Sequence, residues 1–98
     1  MRYPKKVVLS DPTGSGRGLN ALVEDFIKQG VMYVGVVGKD CGRIEDMIDE
    51  LVVGDGSDGN RVILTASHPN QMVEEAVAFA KSLTGEYGGD DVHVVEIV

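Results

Sequence analysis

The sequence predicts an α/β fold: a small, doubly wound, four-stranded parallel sheet with elements in the order β-α-β-α-β-α-β. Three observations lead to it. Short β-branched runs alternate with segments whose apolar residues recur at helical spacing. Those runs are apolar at consecutive positions, as strands buried on both faces are. Glycine or a polar turn separates each segment from the next.

Lys6-Val7-Val8-Leu9-Ser10 forms the first strand, expected over residues 5–10. Leu19, Leu22, Val23, Phe26 and Ile27 then share one helical face and predict a helix over 18–29. Lys28 suits its last turn, and Gly30 the left-handed position that stops it. Val31 to Val37 is the second strand. Ile44, Met47, Ile48 and Leu51 predict a helix over 43–53, weakened by Asp49 and Glu50 near its carboxyl end. A polar turn from Gly54 to Asn60 follows. Arg61 to Ala66 is the third strand, and Met72, Val73, Ala76, Val77, Phe79, Ala80 and Leu83 mark a third helix over 69–84. Gly88-Gly89 lead into a last strand over 91–97.

Right-handed crossovers allow few orders for such a sheet. The flavodoxin-like and Rossmann-like order 2-1-3-4 is preferred, with 3-2-1-4 second. In the preferred order the first helix covers one face alone, and strands three and four are apolar on both faces. An uncovered apolar patch beside them is therefore expected, and with it a homo-oligomer, most simply a dimer. Pairing through the edge of the last strand is an alternative route to the same stoichiometry.

Ninety-eight residues suit one domain over 1–98. With 43% hydrophobic and 26% charged residues, the composition is that of a globular chain. A formal net charge of −7 and scattered cations argue against nucleic acid and against an anionic membrane surface. The single cysteine, Cys41, rules out an internal disulfide. The longest apolar run, Val31 to Val37, is too short to span a bilayer, and the amino terminus lacks a secretory apolar core. A cytoplasmic address is the expectation.

In open parallel sheets, ligands bind beyond the carboxyl ends of the strands. That rim carries Ser10, Asp11, Thr13, Gly14, Ser15, Gly16, Arg17 and Gly18, then Cys41, then Thr65, Ser67 and His68. The glycine-rich loop running into a helix suits a small anion, with outward amides, hydroxyls and Arg17 as donors. Asp11 works against this. Gly16-Arg17-Gly18-Leu19-Asn20-Ala21 fits a dinucleotide-type G-x-G-x-x-A, but begins too far past the strand. No P-loop occurs, the Asp55–Asn60 turn lacks calcium-ligand spacing, and no metal or cofactor is indicated.

Two functions follow from these residues. One is a non-enzymatic, self-associating binding module with an anion-binding glycine loop. The other is a small enzyme acting on a phosphorylated or carboxylated metabolite, with His68, Asp11 or Cys41 as the reactive groups. Convergence of Asp11, Arg17, Cys41 and His68 in one pocket favours the enzyme, and their scatter favours the module.

Overall fold

A computed structural model describes residues 3–57, 59 and 61–97. The chain runs β1 (Lys6–Asp11), α1 (Leu19–Lys28), β2 (Tyr33–Gly38), α2 (Cys41–Val53), β3 (Leu64–Ser67), α3 (Val73–Ser82), a short 3-10 turn (Gly85–Tyr87) and β4 (Val92–Glu96). Asp58 and Asn60 of the polar turn lie outside the described residues.

All pairings in the four-stranded sheet are parallel, and the order is β3-β2-β1-β4. The preferred 2-1-3-4 order is thereby corrected to the second choice. Burial gives the physical reason. The 2-1-3-4 order would leave β2 at an edge, yet β2 is buried from Tyr33 to Val37 and needs a neighbour on each side and a layer on each face. β3, with Thr65 and Ser67 on one face, tolerates the edge instead.

This order also redistributes the helices. The two steps from β1 to β2 and from β2 to β3 run the same way across the sheet, so right-handed crossovers place α1 and α2 on one face. The return from β3 to β4 places α3 on the other. Val7, Leu9, Val34 and Val36 meet Val23, Phe26, Ile44 and Ile48 beneath the first two helices. Val8 and Val37 meet Ala76 under α3. The expected bare patch beside strands three and four as neighbours does not exist, because those strands lie at opposite edges.

Local chemistry shifts two boundaries. Arg61 precedes β3 rather than joining it. Its guanidinium donates to the carbonyls of Leu51 at 2.8 Å and Val52 at 2.9 Å. α2 has no basic residue in its own last turn, so Arg61 brings a cation to that carboxyl end from outside. α3 begins at Val73, because Asn70 adopts a left-handed conformation after Pro69. Glu75 then accepts the Met72 amide at 3.0 Å and fixes the new start.

Candidate functional site

The glycine loop is organised around its own first residue. Asp11 ends β1 fully buried, on the face of α1 and α2. Its carboxylate accepts the amides of Ser15 at 3.3 Å and Gly16 at 2.8 Å, and its carbonyl accepts that of Gly14 at 3.1 Å. The Arg17 amide donates to Ser15 Oγ at 3.2 Å, and that of Leu19 to the Gly16 carbonyl at 3.2 Å. The Ser15 and Gly16 amides turn inward to the carboxylate, as a loop does when it carries its own anion.

Two glycines let this loop rest on its neighbour. A Cβ on Gly14 would lie 2.7 Å from the Lys39 carbonyl oxygen, and one on Gly38 would lie 2.2 Å from that of Asp11. Side chains are excluded because backbone meets backbone. Arg43 holds the contact from outside, donating to the Gly14 carbonyl at 2.5 Å.

In the observed strand order the direction reverses between β1 and β4, so the loop faces β4 and not the end of β3. An open crevice of about 380 Å³ lies there, lined by Arg17, Gly18, Leu22, Asp25, Glu96 and Ile97 among others. Arg17 supplies one positive charge, and Asp25 and Glu96 two negative ones. Thr13 is exposed, and Ser10 is buried on the opposite sheet face from Asp11.

The other rim residues stand apart. Thr65 and Ser67 lie on β3, with β2 between them and β1. Thr65 Oγ1 lies 3.0 Å from Glu45 and 2.7 Å from Asp49 of α2, and one hydroxyl proton serves both carboxylates. Cys41 is buried in the core under α1 and α2.

His68 is buried on the α3 face, away from Asp11 and Cys41. Its Nδ1 lies 3.0 Å from Gln71 Oε1, and its Nε2 lies 3.5 Å from the Tyr33 hydroxyl. With Gln71 presenting its oxygen, Nδ1 is the ring nitrogen placed to donate to it. Phe79 packs edge-on against the ring at 5.1 Å. Burial pushes the Tyr33 phenol up to about 12, and Glu45 adds to the shift.

Gly35 makes this cluster fit. A Cβ there would lie 2.9 Å from Tyr33 Oη and 3.3 Å from His68 Nε2. Sequence reasoning missed Tyr33, Gly35 and Gln71. A glycine inside an otherwise unbroken apolar strand was the available signal.

Lys6 was also missed, and it too is fully buried. Its ammonium donates to the Ala80 carbonyl at 2.8 Å and to that of Gly89, closing the carboxyl end of α3.

Asp11, Arg17, Cys41 and His68 therefore do not converge. Among the described residues, no group of three or more His, Cys, Asp or Glu side chains is placed to hold a metal ion. No described helix is long and apolar enough to cross a membrane.

A family model described as "Domain of unknown function (DUF7684)" matches residues 2–98. The chain belongs to this family. No curated protein and no solved structure matches it. In this DUF7684 chain, Asp11 is joined to loop backbone and His68 to Gln71 and Tyr33, while several large apolar side chains remain exposed. Val62 is 69% exposed, Leu64 42% and Phe79 46%.

Proposed function

We propose that this DUF7684 chain is a non-enzymatic interaction module that associates with copies of itself. The observation that carries the reading is the exposure of large apolar side chains beside an open sheet edge, Leu64 on β3 and Val62 just before that strand. Exposed apolar side chains at an unpaired strand edge favour association. The position of His68 on the sheet face opposite Asp11 and Cys41 supports the same reading, because general acid–base or nucleophilic chemistry needs such groups within reach of one reacting atom. Light scattering at micromolar concentration tests it. A mass of twice the protomer is the expected result, and a monomer across that range overturns the proposal.

A small anionic ligand is the second reading, and the crevice beside Arg17 favours it. Ser15 and Gly16 direct their amides to Asp11, so Arg17 and the first turn of α1 carry the site. Asp25 and Glu96 oppose an anion there, which sets the affinity at micromolar or weaker, about −8 kcal/mol at best. Phosphate titrated against the wild type and Arg17→Ala decides it. Equal binding by both removes the site.

A further inference from the structure

We infer that the crevice between the carboxyl ends of β1 and β2 and the amino end of α3 binds a small uncharged ligand through a carbonyl oxygen. It lies on the α3 face of the sheet, whereas the Arg17 crevice lies against α1 on the other face, so neither depends on the other.

Ser10 supplies the first argument. It pairs with Val37 of β2 and places its side chain on the α3 face, as Val8 does. Ser10 is 7% exposed, and its hydroxyl makes no hydrogen bond among the described residues. Among those residues no side-chain polar atom is both sealed from solvent and unpartnered, so this hydroxyl opens into the crevice that Ser10 lines.

The start of α3 supplies the second. Met72 stands at its N-cap, where Ser, Thr, Asp or Asn would ordinarily bring an acceptor to the first-turn amides. The Met72 amide donates to Glu75 at 3.0 Å, and the Glu75 amide to the Met72 carbonyl at 3.1 Å. The amides of Val73 and Glu74 between them have no partner among the described residues, and both residues line the crevice. Gln71 lines it too. Its oxygen faces His68 Nδ1 at 3.0 Å, which leaves its amide nitrogen as a donor. A hydroxyl, two backbone amides and a side-chain amide thus border one open space, and an oxygen acceptor is what all of them can bind.

Charge decides which oxygen. The amino end of a helix attracts anions, but Glu74 is the charged residue of this lining and no cation accompanies it. The chain also carries a net charge of −7. A carboxylate or phosphate would be repelled with nothing to offset it, while an uncharged carbonyl uses the same donors without that cost. Pro12, Val37, Met72 and Val73 give the crevice apolar walls for an aliphatic body. Its volume of about 290 Å³ falls at the lower end of small-molecule sites, so that body is short.

Isovaleramide, an amide carbonyl on a short branched chain, is the probe, with isovalerate as its charged counterpart and inorganic phosphate as a third ligand. Amide proton–nitrogen correlation NMR of the full chain follows each titration. Isovaleramide is expected to shift the Val73 and Glu74 amides and to bind at least about fivefold more tightly than either anion. Ser10→Ala and Val73→Pro should each weaken it by about fivefold, the effect of one lost hydrogen bond. Proline suits this first helical position, because the amide it deletes has no helical partner and Met72 before it is already extended. An anion that binds as tightly as isovaleramide overturns the inference, as does a titration that leaves the Val73 and Glu74 amides unmoved. Isovaleramide shifts confined to the first turn of α1 overturn it too, and so does undiminished binding by both variants. Should Val73→Pro fail to fold, Ser10→Ala decides alone.

Discussion

The buried carboxylate of Asp11 accepts the Gly16 amide at 2.8 Å, and so stands where an external anion would have to sit in the glycine loop. A strand end, a tight turn and a helix start are thereby joined by one side chain. The same contact explains why a loop with the composition of a phosphate site presents few amides outward.

Asp11→Ala is therefore expected to be a stability variant. It leaves the Ser15 and Gly16 amides without their partner and costs about 1–3 kcal/mol. Asp11→Asn, which retains an acceptor oxygen, should cost less. Urea unfolding of both variants measures this, and a loss below about 0.5 kcal/mol for Asp11→Ala would show the contact to be incidental.

Gly35→Ala is expected to destabilise by about 1–3 kcal/mol through overpacking, because its methyl group meets the Tyr33 hydroxyl. Tyr33→Phe removes that oxygen. The double variant should then be more stable than the sum of the two single losses implies. Strict additivity in thermal or urea unfolding would place the strain elsewhere.

Tyr33 also makes a pH prediction. Its phenol is raised from 10.0 to about 12 in the folded chain. Between those values the unfolded chain has lost the proton and the folded chain retains it, so stability falls as pH rises through that window. Below pH 10 the contribution is complete. Tyr33→Phe should show a shallower alkaline decline than the wild type. Identical slopes from pH 10 to 12 would mean that Tyr33 ionises in the fold as freely as in the open chain.

The proposed dimer should tighten as ionic strength rises. Each protomer carries a formal net charge of −7, so two copies repel at low salt. Exposed like charges are screened by salt, while apolar contact and strand pairing are not. Light scattering across a salt series reads the effect. A dimer that loosens with added salt would point to an interface held by ion pairs.

Most of the secondary structure was legible because period and punctuation are local. The face of Leu19, Val23 and Phe26, and Gly30 after it, determine α1 without reference to anything distant. Boundaries moved where a remote partner intervened, as when Arg61 was drawn to the end of α2. The rim residues were found as residues, but their association was not. Asp11 and Gly16 are five positions apart and could have been paired on paper. Tyr33 stands on β2 and His68 in the loop after β3, far apart along the chain, and could not.

By itself, then, the sequence determined an α/β chain with parallel strands, because continuous apolar runs and helical faces are recorded residue by residue. Strand order was recorded only indirectly, in the burial that β2 demands on both sides. What the tertiary structure alone decided is which groups meet. Reversal between β1 and β4 sends the glycine loop toward Glu96 rather than Thr65, and the crossover of α3 puts His68 on the face opposite Asp11. Strand order and crossover hand act across the whole sheet, and no short window of sequence contains them.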